Sequence, residues 1–589
     1  MRRSIVIAVG VGVVLVCGGA ATWRLLHRAA RPPCTDPAQA LAGVWDGTVK
    51  QRVHAAFAAT KKPYAEPAAV SVTKALDRYV AAWTFATINN CKDTHQTERV
   101  AEVRQLCLDR RFEEVRALAE MLRDPSAGLV EQADKAVWAL DAAETCASRS
   151  ALRFEVEPRY RADYRRLMLQ TATAHAQAIG GQLVAAEGAL MHAADEGKRI
   201  HADDLVALSL HDRAAVLFGE NRFEEAYRVA SDAVWTALRA GQDDLVMASA
   251  LNVASARAAG AEHRDVADGW IDVATAAAAR SGTFPPAFDE QRLELVGVIA
   301  AQRGDLKTAV ASHEQALAAA KRLRGNDDPQ LWSTEVQLAT TLARTGAWAQ
   351  ALPHFEHARQ LREASVGADH PDVALILSDL APCYENTGKT DEALATVKRA
   401  LQIREKTYGP NSPFLVASLD NLADFELRAH ELAAALADIE RAQAIALRFP
   451  GPTDPAYHTV ATTHAEVLGA AGRVAEARKT FDEVLALEAA NKSTELGLTL
   501  SSRATLELAQ ARWQDAAGFE ERAIAAYEAA GGPDDLSLWK PLAGLAQARR
   551  ALDPKADVKP LLDRALAIGI KAQLTVGDLE PIRDQLGHL

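Results

Sequence analysis

A repeat of about 42 residues is the feature that most constrains how this chain can fold. The segments GDLKTA (304–309), GAWAQA (346–351) and GKTDEA (388–393) each place a turn residue five positions before an alanine, and a second alanine follows seven positions later. The turn positions recur 39 to 42 residues apart, at 181, 221, 262, 304, 346, 388, 430, 472, 511 and 553. Self-similarity of this kind is typical of a solenoid, in which each unit buries the apolar face of its neighbour.

The local signals within one unit predict two helices joined by a tight turn. Prolines that favour the first turn of a helix recur at Pro329, Pro371, Pro413 and Pro455. Residues that tolerate the left-handed conformation of a helix C-terminus follow at Asn221, Gly346, Gly388 and Gly472. The alanines seven apart lie on one face of the second helix, where small side chains let two antiparallel helices approach closely.

The unit resembles the tetratricopeptide repeat, in the lengthened 42-residue form found in kinesin light chain. The best match is the segment 370–410, with small residues at Ala381, Ala393 and Ala400 and a turn at Gly388. The resemblance implies an all-α fold, a right-handed superhelical solenoid of helix-turn-helix repeats. It is best from about 290 to 490, and we expect the repeat array to cover 158–580.

The N-terminus carries a membrane signal. Residues 5–23 are 19 uncharged and mostly apolar residues, nearly long enough for a helix to cross a hydrocarbon core of roughly 30 Å. We therefore predict one N-terminal transmembrane helix, with 1–31 as the anchor and its flank. The alternative is a cleaved secretory signal, with Arg2 and Arg3 as its charged region and small residues at 19–21 as the cleavage site.

The segment 32–157 is predicted to be helical and contains four of the six cysteines. These are Cys34, Cys91, Cys107 and Cys146. After an export signal, four clustered cysteines are typical of two disulfides in an oxidising compartment, with three connectivities open. The alternative is four buried thiols, whereas the lack of a C-x-x-C pair disfavours zinc. We therefore expect most of the chain to lie in the periplasm, or to be secreted if the signal is cleaved.

This segment also resembles the extracytoplasmic part of myxobacterial-type receptor serine/threonine kinases. The resemblance rests on Cys34, LAGVWD (41–46), LDRYVAAW (76–83), Cys91 and RQLCLDRR (104–111). In that family a cytoplasmic kinase domain precedes one membrane helix, and a region of this kind follows and ends in tetratricopeptide-like repeats. The resemblance implies an inner-membrane protein with its repeats in the periplasm. The kinase domain is absent from this chain, so a receptor portion separated from its catalytic domain is an alternative interpretation.

Charge and motifs restrict the function further. The 66 basic and 78 acidic residues give a net charge of −12, which disfavours nucleic-acid binding. We find no kinase or hydrolase motif and expect no enzymatic activity and no cofactor. His354 and His357 are three residues apart and could share a metal, but no third ligand is evident. We interpret both as solvated polar residues of a helix.

The predicted function is therefore a non-catalytic protein-interaction scaffold or sensor ectodomain that binds a protein or peptide. In such repeats the first helix of each pair lines a concave surface, and mixed charge on that surface suits protein recognition. By the repeat frame, the candidate partner-binding residues are Arg344, Glu385, Asn386, Asp424, Arg428 and Glu466. The alternative for each is a merely solvated surface residue, and the sequence does not indicate an oligomeric state.

Overall fold

The computed structural model describes residues 34, 36–147, 157–260, 266–281, 286–491, 495–533, 535–571 and 576–587. Over these ranges the regular secondary structure is helical and no strand occurs, which confirms the predicted all-α class. The predicted membrane helix at 5–23 lies outside the described residues. Within them, every helix is too short or too polar to cross a bilayer.

The described part of the N-terminal segment consists of five helices and a 3-10 turn at 143–147. The helices are α1 (Pro37–Leu41), α2 (Gly47–Ala59), α3 (Ala65–Lys92), α4 (Glu98–Leu122) and α5 (Ala127–Trp138). Side-chain caps explain several of the starts. Asp46 accepts from the backbone of Thr48 and Val49, and Ser126 accepts from Leu129, so each satisfies donors that a helix start leaves free.

Over the described ranges ten helix pairs follow, one for each predicted unit, and the helix α26 (Val576–Gly587) comes after the last pair. The first helices are α6 (Arg161–Ile179), α8 (Asp203–Gly219), α10 (Asp243–Ala259), α12 (Pro286–Gln302), α14 (Leu331–Arg344), α16 (Pro371–Asn386), α18 (Val416–Arg428), α20 (Pro455–Ala470), α22 (Leu496–Ala509) and α24 (Trp539–Leu552). The second helices are α7 (Leu183–Arg199), α9 (Phe223–Ala240), α11 (Ala267–Ser281), α13 (Leu306–Arg324), α15 (Trp348–Val366), α17 (Thr390–Tyr408), α19 (Leu432–Arg448), α21 (Val474–Asn491), α23 (Trp513–Gly531) and α25 (Lys559–Lys571).

The turn within most pairs uses the left-handed backbone that the sequence predicts. Positive φ occurs at eight of the ten predicted turn positions: Gly181, Asn221, Gly304, Gly346, Gly388, His430, Gly472 and Ala511. Position 262 lies outside the described residues. Asp553 differs, with φ −136° and ψ 106°, so the last pair turns through an extended residue. A second series of left-handed glycines ends second helices at Gly325, Gly367 and Gly409, again 42 residues apart.

The array curves with its first helices on the inside. First helices of neighbouring units pack against one another along most of the array, whereas second helices make no comparable contacts with each other in the described ranges. The alanines of the repeat frame are completely buried where the helices of a unit meet, as at Ala351, Ala358, Ala393 and Ala400. The first helices therefore form the concave surface, as the repeat pattern predicts.

Two disulfides brace the N-terminal segment. Cys34 is bonded to Cys91 and Cys107 to Cys146, which is one of the three connectivities that the sequence leaves open. The second bond lies beside Trp83, whose indole donates to the carbonyl of Leu108 at 2.8 Å. The 3-10 turn that carries Cys146 is thereby held against α3 and α4.

The N-terminal segment packs against the first repeats rather than standing apart from the array. Helix α4 lies along α6, and its Arg110 pairs with Glu114 at 3.0 Å and with Asp212 of α8 at 3.9 Å. Asp212 also contacts His175 of α6 at 3.2 Å. Nearby carboxylates raise the pKa of His175 to about 9 in spite of its burial. A buried charge network therefore joins the segment to the inner face of these repeats.

The same segment also reaches the loops of the central repeats. Arg362 of α15 binds Asp134 of α5 and binds Asp372 at 2.6 Å, while Lys135 pairs with Asp372 at 2.8 Å. His370 donates through Nε2 to the carbonyl of Glu131 at 3.0 Å. The segment thus bridges the first repeats and the central ones.

Candidate functional site: the groove between α16 and α18

A cavity of about 220 Å³ opens on the concave surface between α16 and α18. These two first helices lack the extensive mutual contact that most neighbouring first helices make, so the space between them is free. Second helix α17 forms the floor through Val397, Ala400 and Arg404. The walls are Ser378, Pro382, Glu385 and Asn386 of α16 and Ser418, Asn421, Asp424, Phe425 and Arg428 of α18. Four of the six predicted partner-binding residues therefore line one groove.

Arg428 dominates the rim of this groove. Its guanidinium pairs with Glu385 across the groove at 2.9 Å and with Asp424 one helical turn back at 2.7 Å. It also lies 4.7 Å from the ring of Phe425. Because Arg428 and Asp424 are each almost half exposed, these pairs add little stability and can rearrange to contact a partner.

Arg404 lies deeper, on the floor. Its Nη1 donates to the hydroxyl of Ser378 at 3.0 Å and to that of Ser418 at 2.5 Å. It forms no ion pair with any carboxylate of the described ranges. Burial lowers its pKa, and the charge of Asp379 offsets part of that effect. The floor of the groove is therefore a partly buried cation with hydroxyl partners only.

Two carboxyl groups beside the groove are also without a basic partner in the described chain. Burial raises the pKa of Asp379 on α16 to about 6, and the pKa of Asp420 on α18 to about 6. The nearby charges of Asp424 and Glu466 add to the effect at Asp420. The inner surface therefore presents groups of both signs, and part of its acidity is titratable near neutral pH.

The remaining two candidate residues lie elsewhere. Arg344 donates through Nη2 to the carbonyl of Ala301 in the preceding repeat at 2.9 Å, so it joins two units. Burial raises the pKa of the carboxyl group of Glu466 on α20. Neither residue lines the groove, because the repeat frame locates a helix position without fixing what its side chain contacts.

The histidine pair also differs from our interpretation. His354 and His357 both contact the buried carboxylate of Glu335, at 2.5 and 2.8 Å, and Lys321 binds it at 2.8 Å. These three donors lower the pKa of Glu335 to about 2, against the effect of burial. The histidines therefore belong to a polar network between α14 and α15 and are not simply solvated.

Sequence reasoning missed the floor of the groove because it considered only first helices. Arg404 belongs to a second helix, yet the 42-residue frame relates it to Arg362, and each is residue 15 of its helix. A recurrent arginine at an inward-facing helix position is the signal that identifies it. Ser378 and Ser418 are ordinary helix residues, and their role appears only from the packing.

The repeat region matches the tetratricopeptide repeat family model over residues 330–406, 372–448 and 414–490. Comparison with curated proteins gave no match.

Several solved helical-repeat structures are similar to the chain at low identity. The TPR-like repeats of a putative kinesin light chain from Podosopora anserina are 22% identical, with a TM-score of 0.32 over 35% of this chain and 97% of that one. A tetratricopeptide repeat protein from Parabacteroides merdae is 17% identical, with a TM-score of 0.34 over 51% of this chain and 98% of that one. A Rap protein in complex with the competence and sporulation factor is 15% identical, with a TM-score of 0.36 over 62% of this chain and 97% of that one. By the family model alone, residues 330–490 are tetratricopeptide repeats within a longer helical array.

Proposed function

We propose that this protein is a non-catalytic, membrane-anchored interaction scaffold or sensor ectodomain whose protein or peptide partner binds in the groove between α16 and α18. The observation that carries the proposal is the cavity itself, where Glu385, Asn386, Asp424 and Arg428 converge with the partly buried Arg404. Concave surfaces of this kind are what helical-repeat arrays use to hold extended segments of other proteins.

The N-terminal segment supports a partner site in the later repeats. Helix α4 already packs on α6, and Arg110 reaches Asp212 of α8, so the concave side of the first repeats is occupied from within the chain. From α16 onward the described part of the N-terminal segment contacts loops and helix ends, as at His370, Asp372 and Thr407. A partner therefore meets the open surface at α16 and beyond.

The proposed location is the periplasmic side of the inner membrane, with residues 5–23 as the anchor. The two disulfides support it, because such bonds persist in oxidising compartments and are rare in the cytosol. A secreted protein after signal cleavage, or the receptor portion of a serine/threonine kinase, would be equally compatible with the disulfides. Fractionation with a C-terminal tag separates a membrane-bound form from a released one, and the size of the tagged band reveals any larger product.

Site-specific photo-crosslinking in cells tests the binding surface. A photoreactive amino acid replaces Asn421, which is exposed at the groove, and in a matched variant it replaces Gln402, which is exposed on the opposite face of α17. We expect a discrete crosslinked protein or peptide from position 421 that is lost when Arg428→Glu is added. Equal crosslinking from both positions, or none from position 421, would contradict the proposal.

A further inference from the structure

Two arginines occupy the same place in successive repeats, and only one of them has an acidic partner within the described ranges. Arg362 of α15 and Arg404 of α17 are 42 residues apart, and each is residue 15 of its helix. The same position holds Ala320 in α13 and Ala446 in α19, both completely buried. Packing of the repeat is thus satisfied by a methyl group, and the two arginines require another explanation.

Both guanidinium groups lie between the first helix of their own repeat and that of the next. Arg362 lies 5.2 Å from the ring of Trp332 on α14 and binds Asp372 on α16. Arg404 donates to Ser378 on α16 and to Ser418 on α18. The two sites are therefore structurally equivalent.

At the first site the chain shows what this arginine binds. The Asp134 carboxylate of α5 enters from outside the repeat and accepts from Nη1 and Nη2 of Arg362, the second bond being 3.2 Å long. An arginine fork and a carboxylate form such paired bonds because their geometries match. The N-terminal segment thus acts as an internal ligand whose carboxylate fills the Arg362 site.

At the second site no carboxylate of the described residues fills that role. Nε and Nη2 of Arg404 have no hydrogen-bond partner there, and the guanidinium faces the cavity of about 220 Å³. Asp379 acts on Arg404 through its charge but does not pair with it. Glu385 and Asp424 are engaged by Arg428 on the rim.

We propose that the groove between α16 and α18 binds an extended peptide through a carboxylate, which pairs with Arg404 as Asp134 pairs with Arg362. The inference rests on the proposed peptide-binding function and specifies its ligand chemistry. The amide of Asn421 is exposed beside the site and makes no hydrogen bond within the described chain, so it is available to the peptide backbone. The carboxylate is either an Asp or Glu side chain or the C-terminus of the peptide.

Peptide selection on the full chain tests this inference. Two random libraries of nine-residue peptides are used, one with free C-termini and one with C-terminal amides. We expect the free-acid library to be enriched in Asp or Glu at one position or in ligands that lose binding when amidated. Asp or Glu enrichment in the amidated library identifies a side-chain carboxylate, and enrichment that needs the free acid identifies the C-terminus.

The affinities of the selected peptides then assign the carboxylate to Arg404. We expect Arg404→Gln to weaken binding by about tenfold or more, because a charge-assisted bidentate contact is lost. Arg404→Lys keeps the positive charge but lacks the two-pronged guanidinium, so its peptide affinity should lie between those of the wild type and of Arg404→Gln. The matched control is Arg399→Gln on the same helix. Arg399 lies outside the groove and pairs with Glu363 at a distance of 2.7 Å, so this variant should bind the peptides normally.

The outcomes separate this inference from the proposed function. Peptides that bind at the groove without any preference for a carboxylate, or equally well to Arg404→Gln, would overturn the inference and leave peptide binding intact. Failure of the chain to select any peptide would overturn the inference, whereas the proposed function is overturned only if position 421 also gives no specific crosslink. Thermal unfolding of each variant shows that a loss of binding is not a loss of fold.

Discussion

Arg362 and Asp134 form an ion pair between residues 228 positions apart, and 0% and 2% of their side chains are exposed. Asp372 lies on the other side of the same guanidinium at 2.6 Å. Trp138 and Trp332 lie within 5.8 and 5.2 Å of it. Because Asp134 belongs to α5 and Arg362 to α15, this pair fastens the N-terminal segment to the repeat array.

Removing the cation of this pair should be strongly destabilising. Arg362→Met leaves Asp134 and Asp372 buried without it, and breaking a buried pair in this way costs about 3–5 kcal/mol. Denaturant unfolding measures the change, and hydrogen exchange should show faster exchange in α5. The matched control is Arg359→Met on the same helix. Arg359 pairs with Glu363 at 2.8 Å, and both side chains are partly exposed. That change should cost less than about 1 kcal/mol, and equal effects of the two variants would refute the role of Arg362.

The same interface should make stability depend on pH through His370. Its Nδ1 accepts the backbone N–H of Asp372 at 3.1 Å, and burial lowers the pKa of the imidazole to about 4. An unfolded histidine titrates near pH 6.5, so below that pH the unfolded state binds a proton that the folded state does not. Stability should therefore fall as the pH drops from about 6.5 to about 4, by at most about 3 kcal/mol from this group.

His370→Asn is the variant that isolates this effect, since asparagine retains the helix cap and does not titrate. Arg362, Asp134, Asp372 and Glu131 face the imidazole and remain in the variant, so their contributions cancel in the comparison with the wild type. The fall in unfolding free energy between pH 7.5 and 4.5 should be smaller in the variant than in the wild type. An unchanged slope would show that other groups carry the pH dependence.

Helices α12 and α13 approach each other so closely at Gly297 that adding a single methyl group there should destabilise the protein. A Cβ at Gly297 would lie 2.3 Å from the ring of His313, whose Nδ1 contacts the hydroxyl of Thr341 at 2.9 Å. The ring cannot retreat without losing that contact, so Gly297→Ala should cost about 1–3 kcal/mol. Gly188→Ala on α7 meets no atom within 4 Å and should instead stabilise by about 0.5–1 kcal/mol. Thermal unfolding compares them, and a neutral Gly297→Ala would contradict the packing described.

The sequence predicted the parts of the fold that depend on local signals. Left-handed turns at Gly346 and Gly388 and proline starts at Pro371 and Pro455 follow from backbone chemistry that recurs with the repeat, and the structure confirms them. The turn at Ala511 follows only from the spacing, since alanine gives no local signal for positive φ.

The docking of the N-terminal segment could not be predicted in this way. The sequence around Asp134 and around Arg362 gives no signal that the two residues pair. Such a long-range ion pair depends on how far the array curves back toward α5. The candidate site was predicted in part for a related reason. Glu385, Asn386, Asp424 and Arg428 follow from the frame of the first helices, whereas Arg404 and its two serines depend on a gap between α16 and α18 that only packing reveals.

Reducing the disulfides should loosen the N-terminal segment and the loops that it contacts, but not the last repeats. The bonds close loops of 57 and 39 residues, and losing one bond of this kind typically costs about 2–4 kcal/mol. Lys62 of the segment donates to the carbonyl of Thr407 at 2.8 Å, and the phenol of Tyr408 lies 3.4 Å from the Glu131 carboxylate. Hydrogen exchange after reduction should therefore rise in 37–147 and around 366–372 and 407–409, while α20 to α25 stay protected.

Because the buried thiol of Cys383 has its pKa raised to about 12, it should stay unalkylated in native protein and report any wider unfolding. Faster exchange in α20 to α25 would mean that the array depends on the segment as a whole, and unchanged exchange at 366–372 would mean that the segment does not hold these loops.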